Sequence, residues 1–581
     1  MIGYHSIPVI VDAYRKGIRD FDAMYALKAM MDYAESNRFG LKAYREKGFI
    51  SNDEDHESAS KTMEYAYDDW CISQLAWRLG QEEVYKKYLE RSLYYRNLFD
   101  PSTNHIRGKV QGRWFSPFKA GEVNNFFTEG NSWHYSFAAP HDISGLAKLM
   151  GGPDKFYAKA NELFTTKEPL SGRDQADVTG LIGQYAQGNE PSHHMAYLFN
   201  YVGKPWRTQE LISKINKEFY LNSPGGLIGN EDCGQMSAWY IFSAMGFYPV
   251  TPASGIYAIG TPVFDEVKLH LENGKTFTVK ANNRSAQNFY IQSLQLNGTA
   301  YGKSFITDAD IANGSTLSFE LGNTPNRSFA VKEGDMPVAM TDDANFVPVP
   351  YFDNSSNKIK TALTVSMGNV DKGTAIYYSI QPDGGVQGKW IKYTRPFVLT
   401  RASLVKYYAE KKGNRSREAS QQFYKVVTDR TVTVLSKVHP MYTAGGPEAL
   451  IDGIVGTTNW KTGEWQSYYD QDFEAVVSFQ QPKKISYAGI HVLQDVSPWI
   501  VYPKEVIIEI SNDGKNYTAL ATVQNKVSNE EKDVQVQTLG AAVNATAKYV
   551  RIKAINGGKL PAWHESAGSP SHLFIDEIII K

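Results

Sequence analysis

The stretch of sequence that decides the fold is residues 229–240, which read GNEDCGQMSAWY. Two adjacent carboxylates, Glu231 and Asp232, lie in a turn bounded by glycines. Apolar residues recur at helical spacing from Met236 onward, so the run predicts a turn that leads directly into a helix. Acidic residues at a helix start are ordinary caps, so helix capping explains this run alone as well as a functional site does.

Two further runs share this design. Residues 128–135 read TEGNSWHY, and Glu129 lies beside glycine and asparagine. Residues 188–194 read GNEPSHH, and Glu190 has the same neighbours. Because each run puts a carboxylate at the start of an aromatic or histidine-rich helix, the three runs predict carboxylates gathered at one end of a helical barrel.

Length and composition narrow the class of protein. A chain of 581 residues is too long for one core, so three or four domains are expected. The net charge of −1 gives no electrostatic case for nucleic acid binding. Aromatic residues make up 13%, which fits stacking on sugar rings and fits β-rich cores equally. Cys71 and Cys233 are the two cysteines, so a disulfide framework is excluded and the redox compartment stays undecided. The sequence predicts no transmembrane span and no signal peptide.

The pattern along the chain predicts a multidomain α plus β protein. Residues 1–250 carry helical periodicity, for example over 12–34 and 60–79, and predict an α/α toroid. Residues 251–335 alternate in short segments with Asn-Gly turns, which predicts an associated β-sandwich. A small β module is predicted over 351–428, and a last β-sandwich over 431–581.

Several motifs join the three carboxylate runs into a resemblance. Residues 1–5 read MIGYH, 66–70 read AYDDW, 204–207 read KPWR and 245–250 read MGFYPV. Over residues 1–335 the chain resembles glycoside hydrolase family 92, the calcium-dependent exo-acting α-mannosidases. The resemblance implies an (α/α) toroid, inverting hydrolysis of α-linked mannosides in glycans, and a periplasmic, cell-surface or secreted location.

The resemblance also assigns catalytic roles. It implies that Glu129 is the general acid and Asp232 the general base, at a separation of roughly 6.5–9.5 Å that leaves room for the attacking water. Trp133 and Tyr135 offer Glu129 the apolar setting that would raise its pKa. Many family members have Asp where this chain has Asn230, and the amide is expected to orient Asp232 without sharing its charge.

The family's calcium binds mannose hydroxyls, and Asn189 and Glu190 resemble its metal-binding run. Hard oxygen donors suit calcium, although an N-cap ahead of a proline is the alternative explanation of this pair. His193 and His194 are expected to shape the sugar pocket, because calcium prefers oxygen. Where α-1,2-specific members have a His-Glu pair, this chain has Gln187 followed by glycine, which argues against that linkage. The full set of predicted substrate-binding residues is Asp68, Asp69, Trp133, Gln187, His193, His194 and Glu231.

The C-terminal modules carry other resemblances. Residues 351–428 are similar to the small fibronectin-like, chitobiase-type modules of bacterial glycosidases. Residues 431–581 resemble the discoidin-type β-sandwich shared with family 32 carbohydrate-binding modules, through ALIDG at 449–453, EISNDG at 509–514 and YVRI at 549–552. Candidate sugar contacts in its loops, for which loop packing is an equal alternative, are Trp465, Trp499, Trp563 and His564.

The start of the chain leaves two functions open. Family 92 enzymes carry a β-sandwich and further barrel helices ahead of the motif at 1–5, so the toroid is expected to be incomplete at its N-terminus, with uncovered apolar faces. One function is an α-mannosidase, complete or complemented. The alternative is a truncated, non-catalytic carbohydrate-binding remnant, or half of a split enzyme whose partner is a separately encoded N-terminal half.

Overall fold

The computed structural model describes residues 2–354 and 356–581. Met1, the first residue of the MIGYH motif, lies outside the described residues, as does Ser355 in the predicted 351–428 module. Within the described ranges, no helix is both long enough and apolar enough to cross a membrane.

Residues 2–250 are mainly helical. The α-helices are Ser6–Arg15 (α1), Ala23–Ala34 (α2), Leu41–Lys47 (α3), Ser58–Arg78 (α4), Glu82–Arg91 (α5), Ser132–Tyr135 (α6), Ile143–Leu149 (α7), Pro153–Thr165 (α8), Pro205–Glu218 (α9) and Gln235–Met245 (α10). The 3-10 helices are Tyr94–Leu98, Pro140–Asp142, Glu190–Ser192 and Met195–Val202. Short strands between them are Phe99–Asp100 (β1), His105–Ile106 (β2), Lys109–Val110 (β3), Arg113–Trp114 (β4), Glu122–Val123 (β5), Ser171–Gly172 (β6), Leu181–Ile182 (β7), Tyr185–Ala186 (β8) and Phe247–Tyr248 (β9).

Two predicted helices differ from the observed ones. Residues 12–34, predicted as one periodic stretch, are divided between α1 and α2, because Gly17 takes a φ of 95° and ends the first helix. Residues 193–202 form a 3-10 helix rather than an α-helix over Met195–Val202, where the side chains are all buried. Burial on every side overrides the amphipathic pattern on which the prediction depended.

Several of the helices pack against α4. Helix α5 lies along α4, with α1 and α2 on its other sides, while α8 and α9 pack on the 3-10 helix Met195–Val202. Helix α4 is buried along most of its length, including its polar residues Asp68 and Asp69. Such burial identifies α4 as the central element of the helical region.

A β-sandwich follows the helices. Its members are Ile256–Ile259 (β10), Glu266–His270 (β11), Thr276–Asn282 (β12), Tyr290–Leu296 (β13), Thr299–Ala300 (β14), Phe305–Thr307 (β15), the helix Asp308–Ala312 (α11) and Thr316–Gly322 (β16). One sheet has the order β11-β12-β16-β13-β14 and the other β15-β10-β9. Phe247, Phe277 and Phe319 are fully buried in the core that these strands enclose.

The next module contains one six-stranded sheet and two two-stranded sheets, and it shares its core with the helices. Its strands are Tyr351–Phe352 (β17), Lys358–Ile359 (β18), Leu363–Val365 (β19), Met367–Gly368 (β20), Ala375–Pro382 (β21), Ile391–Lys392 (β22), Phe397–Leu399 (β23), Ser403–Lys411 (β24), Asn414–Arg415 (β25) and Ala419–Lys425 (β26). Phe352 and Tyr407 belong to the same buried cluster as Trp133 and Phe199 of the helical region. No local pattern in the sequence indicates this shared core.

The C-terminal β-sandwich contains seven strands. They are Arg430–Val434 (β27), Gln466–Tyr469 (β28), Phe473–Gln494 (β29), Glu505–Ser511 (β30), Thr518–Gln524 (β31), Gln535–Ile555 (β32) and His572–Ile580 (β33), with 3-10 turns at Pro447–Ile451 and Trp460–Thr462. The order is β28-β33-β29-β32-β30-β31, and β27 pairs with β29. The pairing of β29 with β32 shifts register at irregularities such as that between Ser478 and Lys483, where the strands bend. This one long strand pair therefore contributes to both faces of the sandwich.

Candidate active site

The loop that carries Glu129 is held at both ends. The backbone N–H of Thr128 donates to the Ser60 hydroxyl over 2.9 Å, and the Tyr135 hydroxyl donates to the Thr128 carbonyl over 3.0 Å. Asn131 caps helix α6 with its side-chain oxygen, in a capping box with His134. Between these anchors Glu129 takes a φ of 46°, in the left-handed region that non-glycine residues rarely adopt. Such strain is typical of functional sites.

The loop that carries Asp232 has the same character. Asp232 and Cys233 take φ values of 49° and 55°, and Gly234 follows at 93°, immediately before α10 begins. Asp232 is exposed and lies at the helix N-terminus, whose partial positive charge favours an anion. Glu231 has a different task, because both of its oxygens accept hydrogen bonds of 3.0 Å from Ser237 in the first turn of α10.

The third run is joined to the first. The side-chain amide of buried Asn189 donates to the backbone carbonyl of Glu129 over 2.7 Å. Glu190 starts the 3-10 helix Glu190–Ser192 and is exposed. No described hydrogen bond reaches the Asn189 side-chain oxygen, which leaves that oxygen available as a ligand atom.

The carboxylates of the three runs act on one another electrostatically. Burial raises the pKa of Glu129, and the charges of Asp177, Glu190, Asp232 and Glu57 raise it further. Burial also raises the pKa of Glu190, with Asp232 and Asp177 acting in the same direction. The structure thus brings Glu129, Glu190 and Asp232 together, and it adds Asp177, which sequence analysis missed.

Two expectations about the immediate surroundings of these carboxylates are wrong. The Asn230 amide donates to Asp177 over 3.1 Å, so it does not orient Asp232 directly. Trp133 does not provide the setting of Glu129: its indole N–H donates to Glu168 over 3.0 Å, and its ring packs in the core beside His105. Buried Tyr135 contacts the Glu129 loop, as the sequence predicts.

Three residues predicted to shape the sugar pocket hydrogen-bond to neighbouring protein groups. Gln187 is buried and bridges the hydroxyls of Tyr185 and Tyr220. The His193 ring lies between the Gln187 carbonyl, 2.9 Å away, and the Gln235 amide, and burial lowers its pKa to about 4. His194 bonds the Phe137 carbonyl over 2.8 Å. Gln187 and His193 are buried with their polar atoms engaged, so both are corrected to structural positions, whereas His194 is half-buried and stays a candidate for the sugar pocket.

Asp68 and Asp69 are also fully buried, on α4. Asp69 accepts from Arg91 over 2.7 Å and from the Tyr4 hydroxyl over 2.8 Å, and burial raises its pKa to about 6. Asp68 accepts from the Tyr4 backbone N–H over 2.9 Å and lies 3.3 Å from the His5 ring. The paired Asp69 is corrected to a structural ion pair, whereas Asp68 borders the partly exposed His5.

A second residue missed by sequence analysis is Glu64. It lies four residues before Asp68 on the same face of α4 and 3.8 Å from the His5 ring. Burial raises its pKa to about 7. Its charge and those of Glu57 and Glu129 all act on the phenol of Tyr135. Glu64 lies seven residues after Glu57 and four residues before Asp68. This helical spacing is the sequence signal that predicts one acidic helix face.

The candidate sugar contacts of the C-terminal sandwich divide into buried and partly exposed residues. Trp465 is 1% exposed, donates to the Thr457 carbonyl over 3.0 Å and stacks on His491, so it is a core residue and not a sugar platform. His564 is buried and bonds the Ser497 carbonyl. Trp499 and Trp563 are partly exposed and pack on one small apolar cluster. These two tryptophans stay candidates for a sugar contact.

Comparisons with known proteins find relatives for two parts of the chain. The family model described as the glycosyl hydrolase family 92 catalytic domain matches residues 1–323, and the F5/8 type C domain, the discoidin type, matches residues 431–571. A curated relative from Arthroderma benhamiae, described as an uncharacterized secreted glycosidase, is 29% identical over 382 residues, which are 58% of this chain and 47% of the relative.

Solved structures include two relatives from Bacteroides thetaiotaomicron. One is a family 92 α-mannosidase, 42% identical with a TM-score of 0.55, covering 58% of this chain and 45% of that one. Its complex with mannoimidazole is also solved. The other, described as an inverting mannosidase of the same family, is 36% identical with a TM-score of 0.54, covering 59% of this chain and 49% of that one. The chain spans about half the length of these relatives. On the match of its residues 1–323, the chain belongs to glycoside hydrolase family 92.

Proposed function

We propose that this protein acts as an exo-α-mannosidase, which hydrolyses α-linked mannosides of glycans with inversion and with calcium. The observation that carries the proposal is that the runs of Glu129, Glu190 and Asp232 contact one another, through the Asn189 bond to the Glu129 carbonyl and the close approach of Gly229 to Gly188. The mannosidase relatives, one of them described as inverting, support the same reaction.

Glu129 and Asp232 divide the proton transfers. Partial burial and the neighbouring carboxylates raise the pKa of Glu129, which favours the protonated form that a general acid needs. Glu129 gives its proton to the glycosidic oxygen as the bond from that oxygen to the sugar C1 breaks. A water attacks C1 from the opposite face and loses its proton to Asp232, so the product carries the inverted, β configuration.

The donors beside Glu129 fit calcium. Asn189 and Glu190 offer an amide oxygen and a carboxylate, which are hard ligands. In the described residues, no cluster of three or more His, Cys, Asp or Glu side chains is spaced to enclose an ion. Asn189 and Glu190 would therefore hold the metal together with water and substrate hydroxyls. When bound, calcium would hold mannose hydroxyls and favour distortion of the ring.

The second candidate is a carbohydrate-binding protein without turnover, or one half of a two-chain enzyme. Apolar side chains stand exposed on the first helices, among them Val9, Tyr25 and Trp77 at 69, 71 and 62%. A separately encoded partner that covers them would complete the helical layer. Under either candidate the ligand is a mannose-containing glycan, and the proposed location is periplasmic, cell-surface or secreted, as the secreted relative suggests.

The deciding experiment follows the first product by proton NMR. An α-linked mannobiose is added, and β-mannose is expected before mutarotation mixes the anomers. Chelation should stop turnover, and calcium should restore it better than zinc. Early α-mannose would contradict the roles proposed for the two carboxylates. Full activity after exhaustive chelation would show that calcium has no part in the reaction. Mannoside binding without turnover would favour the second candidate.

A further inference from the structure

Residues 175–180 join two of the three carboxylate runs. The backbone N–H groups of Gln187 and Gly188 donate to the carbonyls of Gly180 and Thr179, each over 3.1 Å. The segment therefore runs directly beside the strand that leads into Asn189 and Glu190. It has no helical or strand periodicity, which is why the sequence drew no attention to it.

The Asp232 run packs against the same place, through glycines. A Cβ on Gly188 would lie 2.0 Å from the Thr179 hydroxyl oxygen, and a Cβ on Gly229 would lie 2.8 Å from the Gly188 carbonyl. Real Cβ atoms do not approach so closely, so these two glycines allow the three segments to meet backbone to backbone. The packing fixes how the metal run and the Asp232 run lie relative to each other.

Asp177 provides the side-chain link at this meeting point. One carboxylate oxygen accepts from the Gln175 amide over 2.6 Å, and the other accepts from the Asn230 amide over 3.1 Å. Asn230 is two residues before Asp232, in a loop that is exposed and contains three successive left-handed residues. Backbone bonds from Gln235 to the Asp232 carbonyl and from Met236 to the Glu231 carbonyl hold this loop to α10, and the bond from Asn230 to Asp177 is its side-chain link to residues 175–180.

We propose that Asp177 is a positioning residue of the proposed reaction, which anchors the loop of Asp232 against the run of Asn189 and Glu190. The inference rests on the proposed function. Asp177 touches no reacting atom; it acts through Asn230 on the position of Asp232. Catalytic groups must be held to roughly half an ångström, so loss of the anchor reduces the rate more than the stability.

Two variants test the anchor. Asp177→Asn keeps an oxygen that accepts from Asn230, and Asp177→Ala removes it. Asp174→Asn and Asp174→Ala are the controls, since Asp174 is exposed in the same loop. For an α-linked mannobiose, Asp177→Ala should lower kcat on the order of ten- to a hundredfold with little change in KM or Tm. Asp177→Asn should lower kcat less, because it keeps the acceptor for Asn230.

A calcium titration by calorimetry on the same variants gives a readout that needs no turnover. Asp177→Ala should weaken calcium binding about tenfold, because the run that holds the ion loses its neighbour, and Asp174→Ala should not. Equal calcium affinities, or a fall in Tm that accompanies the loss of kcat, would overturn the positioning role. A wild-type chain that neither turns over mannobiose nor binds calcium would instead overturn the proposed function, and the inference with it.

Discussion

The helical region and the C-terminal sandwich bury their apolar side chains to different degrees. In the sandwich, residues such as Val477, Ile490 and Val550 are fully buried, and the long pair β29 and β32 closes the core within about 110 residues of chain. In the helical region, Val9, Ile18 and Tyr25 on or beside α1 and α2 are mostly exposed. Paired strands form their backbone hydrogen bonds and bury their apolar side chains in the same contact. A helix, in contrast, buries its apolar side chains only where a neighbouring element covers each apolar face.

The difference separates a module that is complete in itself from a region that carries chemistry. The strained carboxylates Glu129 and Asp232 lie in the helical region, on loops that depend on contacts from distant segments. In the sandwich, left-handed residues such as Asp470 and Trp499 lie in turns between strands. The comparison therefore predicts that substitutions in the two regions change different properties.

The largest effect is expected at Glu129. Glu129→Gln should lower kcat on mannobiose about 10²–10⁴-fold, and less on an aryl mannoside whose acidic leaving group needs no proton. Asp232→Asn should damage both substrates alike, because water must be activated in each case. Steady-state kinetics on the two substrates measure this, with Glu83→Gln on the exposed face of α5 as the control. Near-normal rates for both variants on mannobiose would show that the roles are wrong.

A smaller effect, on stability alone, is expected in the sandwich. Trp465→Ala should lower its unfolding free energy by about 3–5 kcal/mol, because a large core side chain is lost. Trp499→Ala, at a partly exposed position, should cost about 1 kcal/mol or less. Residues 431–581 expressed alone should unfold in one cooperative, monomeric transition on which both variants are measured by urea titration. Equal losses of unfolding free energy in the two variants, or aggregation of the fragment, would contradict this comparison of the two regions.

The smallest effect concerns the core shared by the helices and the 351–428 sheet. Lys109 is fully buried, its ammonium has no hydrogen-bond partner, and it lies 4.1 Å from the Phe49 ring centroid and 4.5 Å from that of Trp114. Burial lowers its pKa from 10.5 to about 7. The unfolded chain therefore binds more protons between these values, and the stability of the native protein rises with pH across that window.

Lys109→Met should remove this rise and stabilise the protein by about 1–3 kcal/mol at pH 7. Urea unfolding between pH 7 and 10 measures both quantities. Lys119→Met, at an exposed position in the next loop, is the matched control and should leave the slope unchanged. An identical pH slope in the Lys109→Met protein would show that the ammonium is solvated in solution.

Local patterns account for what could be predicted of the site. Glu129, Glu190 and Asp232 each lie in a glycine- and asparagine-containing helix start, which is a signal contained within about six residues. Asp177 could not be found in this way, because its role comes from a hydrogen bond to Asn230, 53 residues away in the chain. The burial of Gln187, His193 and Trp465 could not be predicted either, for the related reason that residue type does not reveal burial.

The sequence by itself determined the order of helical and β regions, the membership of family 92 and the residues of the three carboxylate runs. Periodicity, turn residues and short motifs each involve residues close together in the chain, so they can be recognised in the sequence without the structure. Only the tertiary structure decided that Asp69 is paired with Arg91, that the 351–428 sheet shares the helical core, and that Asp177 anchors Asn230. Each of these depends on which distant segments meet and exclude water, and burial of that kind sets both the pKa and the partner of a polar side chain.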